Sequence, residues 1–390
     1  MSRWHAIRDP VQAIHWLEDG RKFEAQWLHP SPPPTRIVVA DGKTTADEAY
    51  GLACQGAALL WRGDFQEARQ MLNAMARRAD RRQQRKSRTA AATPVEDRAQ
   101  AFHLYRQARS QRARTLNALL IPLNEDYSIP MRRAPDIRQA CAEAYGPSGS
   151  ASVTSLRALL GVIGAHEWRV KGIEIPEAGG RIHPHYGVFA PIRREYVDLV
   201  STTPLPEACA SSSTAFDIGT GTGVLAAVLA RRGLERVVAT DLDPRALACA
   251  RENIRQLGLS ERVDVVQADL YPEGRAALVV CNPPWIPARP SSPMENGIFD
   301  PDSRMLRGFL EALPEHLEPG GEGWLILSDL AEHLGLRTRA QLLEFFETAG
   351  LRVVGRNDVA PRHPRAADET DPLHAARAAE ITSLWRLASR

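Results

Sequence analysis

The chain has 390 residues, of which 44% are hydrophobic and 25% are charged. This composition is typical of a folded protein and excludes a wholly disordered chain, and the length leaves room for two or three domains. The net charge of +2 excludes a histone-like or polyacidic protein. The charge is uneven, however, because residues 77–114 hold twelve Lys or Arg and three Asp or Glu, a local net charge of +9.

Cysteine usage and hydropathy bear on the cellular setting. The five cysteines are widely spaced and form no Cys-x-x-Cys pair, which disfavours a disulfide framework and a structural zinc site. The first ten residues carry charge and no apolar run, so we predict no signal peptide. No stretch reaches the ~18 apolar residues that a membrane helix needs. We therefore expect a soluble, cytoplasmic protein with neither a metal site nor a membrane partner.

Residues 1–150 predict a mainly α-helical, partly basic N-terminal domain. Residues 44–79 place apolar side chains at three- and four-residue steps and contain few β-branched residues, a pattern typical of helices. Two interpretations of the basic segment 77–114 remain open. Basic runs on helices are usually solvated surface, and they are also the electrostatic footprint of proteins that bind the phosphates of RNA or DNA.

The rest of the chain changes in character. Residues 151–190 predict a linker with a small β-hairpin around Gly172 and Gly179–Gly180. Residues 191–390 alternate apolar strands with helices. Such alternation indicates a parallel sheet covered by helices on both faces. We therefore predict an α/β domain with a seven-stranded sheet behind the helical N-terminal domain.

A glycine-rich loop lies between the first strand and the first helix of this α/β domain, and it reads Asp217-Ile218-Gly219-Thr220-Gly221-Thr222-Gly223. Glycines there let the backbone turn sharply and approach a ligand at the helix N-terminus. Asp241 ends the next strand, eighteen residues after Gly223, where a carboxylate can accept both hydroxyls of a ribose. The loop reads GxGxG rather than the GxGxxG of dinucleotide-binding proteins. We therefore predict a ribose-bearing cofactor that is not a dinucleotide.

The combination DIGTGTG, ATDLDPRAL, QADL and NPPW, within Gly187–Arg390, resembles class I S-adenosylmethionine-dependent methyltransferases. The resemblance implies a Rossmann-like methyltransferase domain with S-adenosyl-L-methionine as its cofactor. It also implies which residues bind that cofactor. The methionine end would be held by Asp217, Gly219, Gly221 and Gly223, the ribose by Asp241, the adenine face by Leu242, and the adenine edge by Asp269 and Leu270. Asp243 is a rival for the ribose.

The tetrapeptide Asn282-Pro283-Pro284-Trp285 follows a buried strand. Its prolines end the strand ladder and leave backbone carbonyls unused by the sheet. A conjugated NH2 group is a poor nucleophile because its lone pair is delocalised. If the Asn282 side-chain oxygen and the Pro283 carbonyl each accept one N–H, the lone pair is directed at the methyl group. Pro284 and Trp285 would bind the substrate, with the indole offering a stacking face.

The tetrapeptide resembles the (N/D/S)PP(Y/F/W) signature of enzymes that methylate base amines or glutamine side-chain amides. Residues 163–200 resemble the linker of release-factor glutamine methyltransferases, although APIRRE at 190–195 stands where that family has PRxxTE. The basic segment 77–114 favours a base amine of RNA or DNA, and this is the substrate that the sequence favours. The alternatives are a glutamine of a translation factor and a non-catalytic module that only binds the cofactor.

Overall fold

The fold was analysed in a computed structural model that describes residues 12–90, 97–147, 149–290, 295–362 and 367–390, without the side chains of 84–90. The described chain forms two compact units. The first consists of the described residues up to 90 together with residues 103–167, and the second of residues 97–102 together with those from 168 onwards.

The first unit is built on a six-stranded mixed sheet with the strand order β1-β2-β6-β5-β4-β3. The strands are β1 (Ala13–Glu18), β2 (Arg21–Trp27), β3 (Ile37–Ala40), β4 (Ala58–Trp61), β5 (Leu119–Leu123) and β6 (Ser152–Ser155). The helices are α1 (Ala46–Cys54), α2 (Phe65–Ala90), α3 (Arg98–Asn117), α4 (Arg138–Tyr145) and α5 (Leu156–Lys171). Both α3 and α5 continue across a boundary between the units.

The prediction of a mainly helical N-terminal domain is incomplete, because a six-stranded sheet that the sequence did not reveal forms the centre of this unit, although its helices hold more residues than its strands. Strand β4 lies inside the stretch predicted to be helical, and all four of its residues are buried. A short strand that is buried on both faces shows no polar–apolar alternation, so periodicity cannot separate it from a buried helix. Strand β6, which is also four buried residues, lies at the start of the stretch predicted to be a linker. Leu60, Leu120 and Val153 pack together in the core of the sheet.

The second unit contains a two-stranded antiparallel hairpin and a seven-stranded sheet. The hairpin is β7 (Ile173–Ile175) with β8 (Gly180–Ile182), as predicted around Gly172 and Gly179. The larger sheet comprises β9 (Thr214–Ile218), β10 (Arg236–Asp241), β11 (Val263–Gln267), β12 (Ala276–Cys281), β13 (Leu317–Ser328), β14 (Leu351–Val359) and β15 (Thr382–Ser389). Its helices are α6 (Glu195–Thr202), α7 (Val224–Arg231), α8 (Pro244–Gln256), α9 (Arg304–His316), α10 (Leu330–His333), α11 (Arg339–Thr348) and α12 (His374–Ala378).

The strand order of the larger sheet is β11-β10-β9-β12-β13-β15-β14. The α/β prediction with seven strands is therefore confirmed, with one difference. Strand β15 runs antiparallel to both of its neighbours, so the sheet is not purely parallel. The chain reaches this position last and inserts between two strands that precede it in sequence.

Strand register brings the candidate site together at the carboxyl edge of the sheet. Ile218, the last residue of β9, is paired with Thr240 of β10 and with Cys281 of β12. Cys281 is in turn paired with Leu325 of β13. The glycine loop, Asp241 and Asn282 each follow one of these paired residues. They therefore lie side by side where parallel strands end, which is where ligands bind in open α/β sheets.

Candidate active site

The glycine loop adopts a conformation that only glycine takes without strain. Gly219, Gly221 and Gly223 have φ angles of +71°, +56° and +81°, in the left-handed region that other residues rarely enter. A Cβ atom on Gly223 would lie 3.2 Å from the Cα of Ala250, so α7 and α8 also need a glycine there to pack closely. The Thr220 N–H donates to the Thr240 carbonyl at 2.8 Å. The loop is thereby fixed to β10 with its backbone turned toward the sheet edge.

Asp217 lies beneath the loop. It is 1% exposed, and its carboxylate accepts hydrogen bonds from the Thr220 hydroxyl at 2.6 Å and the Ala226 N–H at 3.0 Å. Burial raises the pKa of Asp217 to about 6. The carboxylate therefore supports both ends of the loop, whereas the contact with the cofactor that the resemblance implies remains a prediction.

Asp241 and Asp243, the two rivals for the ribose, have different surroundings. Asp241 ends β10, and its two oxygens accept the Gly221 N–H at 3.0 Å and the Asp243 N–H at 2.9 Å. Burial raises the pKa of Asp241. Asp243 is exposed, and its side chain caps α8 by accepting the Arg245 N–H at 2.9 Å. Since a carboxylate has about four lone-pair sites, Asp241 can still accept ribose hydroxyls beside the glycine loop, while Asp243 already serves as a helix cap.

The residues predicted to bind adenine lie at the ends of β10 and β11. Leu242 directly follows Asp241 and is 59% exposed, so its side chain is accessible to a ligand at the sheet edge. The segment 268–270 is attached to β10, because the Thr240 hydroxyl donates to the Leu270 carbonyl at 2.5 Å. Leu270 has a φ of +73°. An exposed apolar side chain, a carboxylate and a glycine loop on adjacent strand ends fit the adenosine and methionine parts of S-adenosylmethionine.

The NPPW tetrapeptide begins directly after β12. Because Cys281 is paired with Ile218, Asn282 lies beside Gly219. The Asn282 Oδ1 accepts a hydrogen bond of 2.9 Å from the Trp285 Nε1–H, which identifies Oδ1 as the acceptor end of the amide. A carbonyl oxygen has two lone pairs, so one remains for a second donor. Within the described residues no donor is hydrogen-bonded to the Pro283 carbonyl.

The indole of Trp285 is less accessible than a ring that stacks on a substrate needs to be. Its partly buried indole packs against the core on both faces of the sheet. The Arg193 guanidinium lies over the ring, 4.9 Å from its centroid. One face of the indole is therefore occupied within the protein, and the main visible contact of its N–H is Asn282. Substrate stacking on Trp285 remains a prediction.

Two features of the site were missed by the sequence reasoning. Arg193 forms an ion pair of 2.9 Å with Glu380, which is fully buried. Met305 contacts the glycine loop so closely that a side chain on Gly219 would collide with it. Asp300 fixes that position by accepting the N–H groups of Met305 and Leu306, each at 3.0 Å. The only sequence signal was that Arg193 lies in the stretch that departs from the PRxxTE pattern.

The arginines of the basic segment are partly engaged within the first unit. Arg78 pairs with Asp47 on α1, and Arg112 on α3 pairs with Asp80 on α2 at 2.6 Å. These contacts use two of the twelve positive charges to join helices. Arg77 and Arg81 are exposed. The side chains of Arg85, Lys86 and Arg88 lie outside the described residues.

The described residues contain no group of three or more His, Cys, Asp or Glu that could hold a metal ion. None of the described helices combines the length and apolar character needed to cross a bilayer.

Comparison with known proteins finds matches to the part of the chain that contains this site. Residues 180–351 match the model of the Methyltransferase small domain. A ribosomal protein L11 methyltransferase from Pelotomaculum thermopropionicum is 51% identical over 71 residues, covering 18% of this chain and 23% of the relative. A release factor glutamine methyltransferase from Cereibacter sphaeroides is 36% identical over 124 residues, covering 28% of this chain and 44% of the relative. A ribosomal protein L11 methyltransferase from Vibrio vulnificus is 33% identical over 107 residues, covering 27% of this chain and 36% of the relative.

The matches span less than half the length of these curated relatives. The family model covers the part of the chain that contains the glycine loop and the ends of β9, β10 and β12. In sequence, strand order and loop geometry, residues 180–351 are therefore similar to class I S-adenosylmethionine-dependent methyltransferases.

Proposed function

We propose that this chain transfers the methyl group of S-adenosylmethionine to a conjugated NH2 group, and that the substrate is a side-chain amide of a protein, with glutamine as the first candidate. The observation that carries the proposal is the orientation of Asn282. Its Oδ1 is fixed as an acceptor by the Trp285 N–H, and it follows β12 beside the glycine loop. Two adjacent acceptors, Asn282 Oδ1 and the Pro283 carbonyl, match the two N–H donors of an NH2 group.

Bound S-adenosylmethionine supplies an electrophilic methyl group on a sulfonium. The chain's own residues hold the nucleophile. When Asn282 and Pro283 each accept one N–H of the substrate, the nitrogen is kept from conjugating fully with its carbonyl and its lone pair turns toward the methyl carbon. Methyl transfer would then form the C–N bond as the C–S bond breaks, and the methylated nitrogen would release one N–H proton to solvent. Positioning of this kind contributes roughly 7–11 kcal/mol in well-oriented reactions.

A protein substrate is supported by the names of the relatives. One is named for a glutamine of release factors and two for ribosomal protein L11. The basic segment gives weaker support to nucleic acid than its net charge suggests, because Arg78 and Arg112 are engaged with acidic residues of their own unit. We therefore depart from the preference for RNA or DNA that the sequence alone favours.

The second candidate function is methylation of a base amine in RNA or DNA. It is favoured by Arg77 and Arg81, which remain exposed on α2. The third possibility, a module that binds cofactor without catalysis, does not account for the fixed orientation of the Asn282 amide. Cofactor binding alone requires the glycine loop and Asp241 but no acceptor pair beside them.

The experiment uses the purified full chain with radiolabelled S-adenosylmethionine and two substrate pools, protein and nucleic acid (RNA with DNA), prepared from a strain that lacks the gene. Label that is released by protease, survives nuclease and is absent with Asn282→Ala supports the proposal. Label that nuclease releases would establish the second candidate instead. Absence of label from both pools, with the cofactor still bound, would favour the non-catalytic module.

A further inference from the structure

A line of polar contacts leads from the carboxyl end of β13 to Asn282. It begins with Ser328, the last residue of β13, whose hydroxyl donates to Glu380 Oε1 at 2.6 Å. Glu380 Oε1 also pairs with Arg193 Nη2 at 2.9 Å. The Arg193 guanidinium covers the ring of Trp285, and the indole N–H of Trp285 donates to Asn282 Oδ1. These residues all belong to the second unit.

The backbone around Glu380 is tightly fixed. The N–H of Asp329 donates to the carbonyl of Ile381 at 3.0 Å, and the N–H of Ile381 donates to the carboxylate of Asp329 at 2.6 Å. Thr382 is then paired with Ser328 in the sheet. The antiparallel insertion of β15 thus places the carboxylate of Glu380 at a defined point beside the candidate active site.

The placement of this ion pair needs an explanation beyond stability. Glu380 is 0% exposed, and taking a carboxylate out of water costs several kcal/mol, which a buried ion pair often fails to recover. An apolar residue would fill the same space without that cost. The carboxylate of Glu380 accepts the Ser328 hydroxyl and holds a guanidinium over the ring of Trp285, and an apolar residue could do neither.

The orientation of Trp285 matters because the two ends of an amide have nearly the same shape but opposite hydrogen-bonding roles. Rotation of the Asn282 side-chain amide by half a turn replaces the Oδ1 acceptor with the Nδ2 donors. A donor facing the N–H groups of a substrate cannot hold them. The Trp285 N–H prevents this exchange, since it can donate to Oδ1 but not to Nδ2, and it does so only while the indole keeps its place.

We propose that Arg193 and Glu380 are positioning residues for methyl transfer, which hold the indole of Trp285 so that its N–H locks the acceptor face of Asn282 toward the substrate. The inference rests on the proposed function, in which Asn282 accepts a substrate N–H. Neither residue touches the reacting atoms. Arg193 would act through Trp285, and Glu380 through Arg193.

The test follows the Trp285 indole N–H by nitrogen-15 NMR of the full chain, with Trp285→Phe used to assign its resonance. Arg193→Lys keeps the charge but loses the flat guanidinium, and Glu380→Gln keeps the shape but loses the charge. Arg194→Lys is the matched control, because the neighbouring Arg194 pairs at 3.3 Å with Glu177 away from Trp285. Thermal unfolding of each variant verifies that it is folded.

We expect the Trp285 indole N–H to change chemical shift and to exchange with water about tenfold faster in Arg193→Lys and Glu380→Gln, a loss of ~1.4 kcal/mol of protection. In Arg194→Lys it should match the wild type. Cofactor affinity, measured by calorimetry with S-adenosylmethionine alone, should stay within about twofold in all three variants. Methyl transfer to the accepting pool should fall roughly 10²-fold in the first two, in kcat rather than KM.

An indole resonance that is the same in Arg193→Lys and Arg194→Lys would overturn the inference, as would equal methyl transfer by these two variants. If Glu380→Gln does not fold, the arginine pair decides alone. Failure of the proposed function appears differently, because the wild type then labels the nucleic-acid pool or neither pool, while the NMR comparison still reports on Trp285. The two failures are thereby distinguished.

Discussion

The candidate active site of the second unit and helix α2 of the first unit use charge in opposite ways. In the second unit, carboxylates at the sheet edge are buried and held by specific donors: Asp217 by Thr220 and Ala226, and Glu380 by Ser328 and Arg193. In the first unit, Arg77 and Arg81 lie exposed on α2. Buried charges act in a low dielectric and interact strongly, whereas exposed charges are screened by salt over about 8 Å at physiological ionic strength.

This difference indicates where the chemistry lies. In the second unit a single charge or dipole can set the orientation of a neighbouring group, so single substitutions should have large effects. In the first unit the effect of charge is collective, so single substitutions should have small effects that depend on salt. The following predictions test that contrast, beginning with the largest expected effect.

Removal of the Asn282 amide should have the largest effect. We expect Asn282→Ala to lower methyl transfer by about 10³-fold, as loss of a positioned hydrogen-bonding group does in other active sites, with cofactor affinity within about twofold. Turnover is measured with labelled S-adenosylmethionine and affinity by calorimetry. Asn296→Ala, an exposed asparagine further along the chain after the tetrapeptide, is the control. Equal turnover in the two variants would contradict the role of Asn282.

Asp217 should make the stability of the second unit depend on pH. Its pKa is raised by burial from 3.8 to about 6, so the neutral form contributes stability that is complete below pH 3.8 and is lost as the pH rises through about 6. The amide introduced by Asp217→Asn cannot ionise, and its oxygen can still accept from Thr220 and Ala226. We therefore expect Asp217→Asn to gain about 3 kcal/mol over the wild type as the pH rises from about 4 to about 7.

The comparison is made by urea unfolding of both proteins across that pH range. Asp264→Asn on β11 removes an exposed carboxylate of the same unit and should follow the wild-type profile. If the free energy of unfolding changes with pH in the same way for Asp217→Asn and the wild type, ionisation of the buried Asp217 does not destabilise the folded protein.

Substitution of the two rival aspartates should affect different properties of the protein. We expect Asp241→Ala to weaken S-adenosylmethionine binding by about 10²-fold, because it removes the acceptor for the ribose as well as the bond to Gly221. Asp243→Ala should cost about 1 kcal/mol of stability as a lost helix cap and leave cofactor affinity nearly unchanged. Calorimetry and urea unfolding measure the two quantities. The reverse result would move the ribose contact to Asp243.

Charge reversal in the first unit should have the smallest effect. We expect Arg77→Glu with Arg81→Glu to weaken binding of single-stranded RNA by about tenfold at about 50 mM salt and by much less at about 200 mM. Methyl transfer to protein should stay within about twofold of the wild type. Fluorescence anisotropy with a labelled oligonucleotide measures the binding. A drop in methyl transfer as large as that of Asn282→Ala would remove the contrast between the units.

The sequence predicted the second unit far better than the first, for physical reasons. Strands β9, β10 and β12 are followed by glycines, an acid or prolines whose chemistry is local, so both the strands and the site residues after them could be recognised. Strands β4 and β6 are four buried residues each, without alternation or turn signals, so the sequence pattern does not reveal them and β4 falls within a stretch predicted to be helical.

Contacts that depend on the topology of the fold could not be predicted from the sequence. Arg193 and Glu380 are 187 residues apart, and they meet only because β15 runs antiparallel between β13 and β14. No pattern around either residue indicates that pairing. The support that Asp217 gives the loop was also missed, since an acid before a glycine loop is equally compatible with a ligand contact.

The most direct test of the central claim is to locate the transferred methyl group by fragmentation mass spectrometry. The protein pool from the deletion strain is incubated with the chain and S-adenosylmethionine that carries a deuterated methyl group. We predict a deuterated methyl on a side-chain amide nitrogen, lost with Asn282→Ala and retained with Asn296→Ala. A deuterated methyl on a carboxylate, a hydroxyl or a carbon would contradict the claim that Asn282 and Pro283 position an NH2 group.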